Sequence, residues 1–425
     1  MNRRVVITGL GVVAPNGVTI DNFMNAIKKG ISGVQKIEQL TDLKFSCQVA
    51  GLPIYKNDYL TNYFTSIELR GLLASGLEYG VIAGLDAWQD AGLPLTKSIE
   101  PLWNTGVIFG TGILGTEKFR EAIYKVDDGK VRKLGSTTVT QTMASGISAF
   151  LGGKLGCGNR VTTNSSACTT GTEAVLMAFE HIQNNKADVM LAGSTSDSGP
   201  YVWGGFDAMR ILPYQYNDTP IEASRPMSVD AAGFVPGSGA GALVVESLDH
   251  ALARGATIYA EILGGAINSG GQRQGGSMTA PNSTAVRRCI KEAMANASIT
   301  SDQIDAINGH LTATVKDPEE IKNWSEALER TDKNFPLINS LKSMTGHCLA
   351  ASGSIECVAT VLQLRENFVF GNINCLQPHP EILNYVDTSR IPKETLYQES
   401  QIIAKASFGF GDVNACIIFK NYNDH

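Results

Sequence analysis

The sequence of 425 residues has little charge and little histidine for its length. Charged residues make up only 18% of the chain, against 43% hydrophobic residues, so we predict a globular protein with a large buried core. The net charge of -6 excludes the overall basic surface that nucleic-acid-binding proteins use. No nucleic-acid partner is therefore predicted.

Cysteine pairs and long apolar runs are also missing. The eight cysteines are spread along the chain and none forms a CxxC pair, which does not fit a zinc site or a disulfide framework. We predict no metal site, a reducing compartment and mostly buried thiols. No apolar run approaches the ~18 residues of a membrane span, and the start, soon broken by glycine and proline, does not fit a signal peptide. These features predict a cytoplasmic protein that does not contact a membrane.

Short β-type runs alternate with amphipathic stretches along the chain, which is typical of an α/β protein. The β-type runs are residues 5–8, 106–109, 161–163, 189–192, 242–246, 258–263, 402–406 and 415–420, and the helical stretches are 68–91, 170–184, 283–297, 317–329 and 353–366. No Pro/Ser-rich linker divides the chain, and a new strand–helix series begins at residue 258. We predict two similar α/β halves packed into one body, residues 1–255 and 256–425.

The sharpest local feature is NSSACTTG at residues 164–171, which lies between a β-type run and a helical stretch. This pattern places Cys168 near the N-terminus of a helix. There the helix dipole and free backbone N–H groups favour a thiolate, so we expect a lowered thiol pKa. The same N–H groups can hold a developing oxyanion. Cys168 is a candidate nucleophile, and an inert cysteine in a turn is the alternative.

Two of the six histidines lie in polar, glycine-containing segments. His310, in NGHLTAT (308–314), and His347, in KSMTGH (342–347), each follow a β-type run. Side chains at strand ends assemble the sites of α/β proteins. One thiol and two imidazoles in such places fit thioester chemistry, in which a nucleophile attacks and donors hold an oxyanion. The other four histidines are expected in surface helices, a loop and the chain terminus.

Five segments together resemble the β-ketoacyl-acyl-carrier-protein synthases, condensing enzymes of the thiolase superfamily, over nearly the whole chain. They are RVVITGLG (4–11), SAC (166–168), SRP (224–226) with Asp230, Gly233 and Phe234, KSMTGH (342–347) and SFGFG (407–411). FDAM (206–209) followed by YNDTP (216–220) is similar to the elongating ketoacyl synthase I/II branch. The resemblance implies a thiolase-like fold layered α-β-α-β-α, with the cysteine in the first half and both histidines in the second.

The resemblance also implies an acyltransferase that extends an acyl chain by two carbons in fatty acid biosynthesis. The cysteine would take the acyl group from acyl carrier protein. A malonyl thioester would then lose carbon dioxide, and its enolate would attack the acyl-enzyme. The resemblance implies a homodimer, with no cofactor apart from the phosphopantetheine arm of the carrier protein.

Residue by residue, the resemblance implies a triad of Cys168, His310 and His347. The N–H groups of Cys168 and Phe410 would form the oxyanion hole, with the Phe410 ring as a gate. Lys342, paired with Glu356, would orient the imidazoles, and a plain buried ion pair is the alternative. The residues expected to bind the substrate are Thr312, Thr314 and Phe408, with an acyl pocket lined by Gly112, Ile113, Met143 and Phe206.

An acidic enzyme must offer a local basic surface to an acidic carrier protein. The clearest cluster is Lys130, Arg132 and Lys133, and Arg210 matches a basic entrance position in some relatives of the family. We predict carrier-protein docking at these four residues. A solvated surface loop is the alternative for the cluster.

Three positions depart from the family pattern, and several functions stay open. HLTATV (310–315) lacks the usual glycine and proline and is one residue shorter, and Gly411-Asp412 replaces a Gly-Gly pair that frees the gating loop. Ser238 stands where an acidic residue is common. The open functions are a ketosynthase of a polyketide or aryl-polyene pathway and a subunit of a heterodimeric ketosynthase. Cys168 argues against a silent partner subunit. A thiolase is disfavoured because residues 408–412 hold no second catalytic cysteine.

Overall fold

The computed structural model describes residues 3–95 and 98–422, over which strands and helices alternate. The described strands are β1 (Val5–Val13), β2 (Val34–Lys36), β3 (Val49–Gly51), β4 (Thr105–Thr111), β5 (Val161–Thr162), β6 (Val189–Ser196), β7 (Gly239–Ser247), β8 (Ala260–Ser269), β9 (Ala306–Asn308), β10 (Leu337–Asn339), β11 (Ile402–Gly409) and β12 (Val413–Asn421). The described helices are α1 (Ile20–Lys29), α2 (Glu38–Asp42), α3 (Ser66–Leu69), α4 (Ser75–Asp90), α5 (Thr116–Asp127), α6 (Thr138–Thr142), α7 (Gly146–Leu155), α8 (Thr170–Gln183), α9 (Pro200–Ala208), α10 (Leu248–Ala253), α11 (Ser283–Asn296), α12 (Asp317–Leu328), α13 (Lys342–Thr345) and α14 (Ser352–Arg365). Within these ranges, no helix combines the length and the apolar character that crossing a membrane requires.

The sheet consists of two sets of five strands with the same internal order. The first set runs β5-β4-β6-β7-β1, and β8 to β12 repeat that order as β10-β9-β11-β12-β8. In each set the two outermost pairs are parallel and the others antiparallel. The sets join where β1 pairs antiparallel with β8, and β2 pairs with β3 in a separate ribbon. The repeated order confirms two similar α/β halves, whereas a boundary at residue 255, between α10 and β8, stays a prediction.

The central layer is formed by α8 and α14. Every residue of α14 except its last is buried, which is typical of a helix enclosed by other elements. The two helices approach closely because glycines face each other: a Cβ on Gly171 would lie 2.3 Å from the backbone N of Ser354, and one on Gly353 2.5 Å from that of Thr172. Helices α4 and α7 pack on the outer face of the first set of strands, and α11 and α12 pack on that of the second. The layers therefore follow the order α-β-α-β-α.

One predicted helix is wrong. Residues 68–91 form two helices, since α3 ends at Leu69 and α4 begins at Ser75. Gly71, at φ +72°, turns the chain out of the helical path. The side chain of Gln141 occupies the break, where it accepts the N–H of Leu73 at 2.9 Å and donates to the carbonyl of Gly71 at 2.9 Å. A side chain of α6 thus supplies hydrogen bonds that the backbone of a continuous helix would make.

Candidate active site

Cys168 lies in the 3₁₀ turn Ala167–Thr169, which leads directly into α8. Ala167 has a φ of +50°, a left-handed conformation that is costly for a residue with a Cβ. The side chain of Thr170 stabilises this turn, because its hydroxyl donates to the carbonyl of Ala167 at 2.7 Å and accepts the N–H of Ser166 at 2.9 Å. As the sequence predicts, the thiol lies at the N-terminal end of a helix.

The turn between β11 and β12 packs against this nucleophile turn. A Cβ on Gly409 would lie 3.1 Å from the backbone N of Cys168 and 3.3 Å from the carbonyl oxygen of Ser166, so glycine allows the approach. The backbone N–H groups of Phe410 and of Cys168 itself both lower the pKa of the Cys168 thiol, so both lie close to its sulfur. Two N–H groups beside one sulfur are placed to hold an oxyanion formed on an acyl group there.

The expected lowering of the thiol pKa is wrong. Burial raises the pKa of Cys168, and the N–H of Phe410 and the charge of Lys342 only partly oppose that effect. The helix end supplies donors, but they do not outweigh the effect of burial on the thiol. Burial therefore favours the neutral form of the Cys168 thiol.

His347 directs a proton at the thiol. Its Nε2 lies 3.2 Å from the Sγ of Cys168. Its Nδ1 accepts the backbone N–H of Leu349 at 3.1 Å and lies 2.9 Å from the hydroxyl oxygen of Ser352. Because a backbone N–H can only donate, Nδ1 carries no proton, and the proton of the neutral ring is on Nε2. His347 is thus an N–H donor facing the sulfur.

His310 follows β9 and completes the cluster. Its ring lies 5.4 Å from that of His347, nearly perpendicular to it, and its Nδ1 is buried without a hydrogen-bond partner in the described part of the chain. Burial first, and then the charge of Lys342, lowers the pKa of both imidazoles well below the usual value. The three donor atoms, one from each of Cys168, His310 and His347, lie within 4.8 Å of one another. Two neutral imidazoles can hold one substrate oxygen, and the same set is close enough to ligate a thiophilic metal ion.

The shortened loop after His310 is held by two carboxylates at the start of α12. Glu320 accepts the N–H groups of His310 and Leu311 at 2.7 Å each, and Asp317 accepts that of Thr312 at 2.9 Å. The side chain of Leu311, at the usual glycine position, is fully buried in the apolar core beneath the loop. Burial raises the pKa of Glu320 to about 7. Sequence analysis missed both acids, because acidic residues in the first turn of a helix are ordinary.

Lys342, on α13, forms a buried ion pair with Glu356 on α14. The structure adds Lys405 of β11, which sequence analysis missed: its Nζ lies 2.9 Å from the other carboxylate oxygen of Glu356, and its side chain is 0% exposed. The available signal was a single lysine inside an apolar strand, directly before the SFGFG segment. Two lysines therefore share one carboxylate beneath the site.

A cavity of about 570 Å³ opens onto this cluster. The side chains of Thr312 and Thr314 lie on its wall with their hydroxyls 3.1 Å apart, where they can bind a polar arm. Met143 was predicted to line the acyl pocket, but it is half-buried in the turn between α6 and α7 and is not on the described wall. The other residues predicted for the acyl pocket all line the cavity: Gly112, Ile113 and Phe206. Phe408 and Phe410 lie on the same wall.

The structure separates the predicted docking residues. Arg210 is exposed, and its sequence neighbours Met209 and Ile211 both line the cavity. The Lys130, Arg132 and Lys133 cluster is exposed after α5 and is not part of the described cavity wall. Lys130 also pairs with Asp128 at 2.7 Å.

Asp412 ties the Phe410 turn to a neighbouring loop. The residue is fully buried with φ +62°, and its carboxylate accepts the N–H groups of Gln272 at 2.9 Å and Asn282 at 2.7 Å. Its carbonyl accepts the N–H of Gly270 at 2.9 Å. Residues 279–281 of the same loop line the cavity. The position that is usually a flexible glycine is here an anchor.

The sequence and the fold of this chain are similar to those of known proteins. Residues 2–251 match the model of the β-ketoacyl synthase N-terminal domain, and residues 259–376 match that of the C-terminal domain. A 3-oxoacyl-[acyl-carrier-protein] synthase 2 of Vibrio harveyi is 34% identical over 98% of both chains. A 3-oxoacyl-[acyl-carrier-protein] synthase 1 of Haemophilus influenzae is 34% identical over 99% of this chain and 100% of its own. A solved ketosynthase of a type II polyketide synthase, in complex with its acyl-carrier protein, is 30% identical over 100% of both chains with a TM-score of 0.87.

Proposed function

The chain belongs to the β-ketoacyl synthase family, and we propose that it joins an acyl group held on Cys168 to a malonyl unit held on acyl carrier protein. It is an acyltransferase of the condensing type, a 3-oxoacyl-[acyl-carrier-protein] synthase whose product is two carbons longer than its acyl substrate. The observation that carries this proposal is the meeting of the Cys168 thiol with two neutral imidazoles at a largely apolar cavity. Such a site can hold an acyl thioester and an enolate in turn.

In the first step the sulfur of Cys168 attacks the carbonyl carbon of an acyl thioester. The oxyanion that forms accepts hydrogen bonds from the backbone N–H groups of Cys168 and Phe410, which lie close to the sulfur. The carbon–sulfur bond to the carrier arm breaks, and the thiol proton of Cys168 leaves with the departing carrier thiol. The acyl chain then occupies the cavity beside Phe206 and Phe408.

In the second step a malonyl thioester occupies the emptied arm site at Thr312 and Thr314. Its carbon–carbon bond to the carboxylate breaks, carbon dioxide leaves, and the electron pair forms an enolate. The N–H donors of His310 and His347 stabilise the enolate oxygen. The enolate carbon attacks the acyl carbonyl, the bond to Cys168 breaks, and the thiolate takes up one proton. Each neutral imidazole keeps one ring N–H, which it can donate to the enolate oxygen.

Acyl carrier protein is the proposed partner, and Arg210 is the proposed steering residue because it is exposed between two residues that line the cavity. The basic cluster after α5 is a second candidate contact. Because it is not part of the described cavity wall, its role is tested separately by charge reversal. No cofactor is proposed beyond the phosphopantetheine arm of the carrier protein. The eight free cysteines support a cytoplasmic location.

We propose that the chain forms a homodimer through β5 and the adjoining helices. Strand β5 is the last in its sheet, and Val161 on it is 38% exposed. Large apolar side chains are also exposed on α5 and α6, among them Phe119 and Val139. Ile113 lines the cavity and yet is 51% exposed, so a second subunit would complete that part of the wall.

A polyketide or polyene ketosynthase, acting alone or in a heterodimer, is the second candidate function. It is favoured by the 30% identity over the full chain to the ketosynthase of a type II polyketide synthase. Product analysis separates the two: purified protein is given acyl-carrier thioesters of several lengths, saturated or polyunsaturated, with malonyl carrier protein. Extension of saturated chains supports fatty acid synthesis, and extension only of unsaturated or 3-oxo chains supports the second candidate.

A further inference from the structure

Glu356 is the anion at the centre of a buried cluster with one more positive than negative charge. Lys342 pairs with one of its carboxylate oxygens, and Lys405 lies 2.9 Å from the other. The side chains of Lys342 and Glu356 are 2% exposed, and that of Lys405 is 0% exposed. Solvent therefore screens these charges poorly, and with both lysines protonated the cluster carries a net charge of +1.

Lys405 is held firmly in this cluster. Its Nζ donates to the hydroxyl of Thr172 at 3.0 Å and to the carbonyl of Ala406 at 2.9 Å, and it also donates to the hydroxyl of Ser407. The hydroxyls of Thr172 and Ser407 are 2.9 Å apart, which connects the cluster to the helix that follows Cys168. These three contacts use all the N–H donors of the ammonium group, so Lys405 acts on the second carboxylate oxygen of Glu356 through its charge and not through a hydrogen bond.

We propose that Lys405 is a positioning residue that acts through Glu356: it neutralises the second carboxylate oxygen and thereby leaves Lys342 as an uncompensated cation facing Cys168, His310 and His347. In a plain Lys342–Glu356 pair the two charges would largely cancel at the site. With Lys405 present, the reacting groups experience a net positive field. That field favours the thiolate leaving group and the anionic enolate, and it disfavours protonated imidazole.

The groups that face the cluster respond in the same direction. Lys342 lowers the pKa of Cys168 against the larger effect of burial, and both lysines contribute to the lowered pKa of the two imidazoles. Removal of Lys405 should therefore raise the pKa of the thiol and of both imidazoles. Within the described ranges, the other titratable groups facing the two lysines are the carboxyl of Glu320 and the buried thiols of Cys348, Cys357 and Cys416.

The test is the pH profile of alkylation at Cys168, followed by mass spectrometry of the peptide that contains it. In Lys405→Met, and in Lys405→Gln, which keeps an N–H donor without the charge, the profile should shift to higher pH by about one unit. The double variant Glu356→Gln/Lys405→Met has the same net charge as the wild type and should return the profile towards it. Circular dichroism and the Tm of each variant check the fold, and Lys405→Gln is the variant to use if Lys405→Met does not fold.

An alkylation profile that is unchanged in both single variants overturns the proposal. A double variant whose profile is the same as that of Lys405→Met also overturns it, because the charge of Glu356 would then not transmit the effect of Lys405. The effect of Lys405 on catalysis rests on the proposed function, in which Cys168 is the nucleophile. Alkylation needs no substrate, however, so a failed condensation assay with a shifted profile would count against the proposed function and leave the role of Lys405 standing.

Discussion

The carboxylate of Glu320 accepts the backbone N–H of His310 at 2.7 Å, and so holds the loop that presents the imidazole. The other oxygen accepts the next N–H along the chain. In Glu320→Gln, an NH2 group replaces one of the two carboxylate oxygens. Two donors then face each other, and one backbone N–H of the loop loses its acceptor. We expect malonyl decarboxylation to fall by about tenfold or more while acyl transfer to Cys168 changes less. Glu326→Gln on the same helix, where Glu326 pairs with Arg287 at the surface, is the matched control. Equal losses in both reactions would indicate a general folding defect.

The two histidines should separate decarboxylation from acyl transfer. The proposed oxyanion hole for acyl transfer uses backbone N–H groups and neither imidazole. His310→Ala and His347→Ala should therefore each lower decarboxylation and condensation by about 10²-fold or more and retain part of the acyl transfer. Radiolabelled carbon dioxide release and the mass of the acyl-enzyme report the two steps, with His181→Ala as a control on the surface of α8. Full condensing activity in His310→Ala would contradict the role assigned to it.

The sequence identified the side chains that meet at the cavity better than the groups that hold them. Cys168 and both histidines stand in distinctive segments at the ends of strands, where function leaves a local pattern. Glu320 and Lys405 act through contacts that only the fold creates, since one turns back onto a loop ten residues earlier and the other reaches a carboxylate on another element. The thiol pKa was predicted in the wrong direction because a helix end is visible in the sequence, whereas the burial that raises the pKa is a tertiary property.

Asp412 should hold the Phe410 turn in its oxyanion-binding position. Asp412→Ala removes the acceptor of two N–H groups, and we expect faster hydrogen–deuterium exchange in residues 270–282 and 408–412. The kcat of acyl transfer should fall by about tenfold with little change in KM, because the Phe410 N–H would no longer be fixed beside Cys168. Asp387→Ala, at an exposed turn, is the control. Faster transfer in Asp412→Ala would show that the tie restrains opening of the gate and does not assist catalysis.

Carrier-protein docking should depend on the charge of Arg210. Arg210→Glu should raise the KM for acyl-carrier substrates by about tenfold and flatten its dependence on salt, because a steering charge is reversed. Small thioester analogues should react as before. The double variant Lys130→Glu/Lys133→Glu tests the cluster after α5 in the same assay, and Lys322→Glu on α12 is the control. Equal losses with the small analogues would assign these residues to the fold and not to the partner.

The most direct test of the account is the mass of the acyl-enzyme. Purified protein is incubated with an acyl-carrier thioester alone, digested and analysed, and a second sample then receives malonyl carrier protein. The acyl mass should appear on the Cys168 peptide only and disappear as the 3-oxoacyl product forms, and Cys168→Ala should show neither event. An acyl group on another residue, or condensation by Cys168→Ala, would contradict the central claim that Cys168 carries the acyl chain.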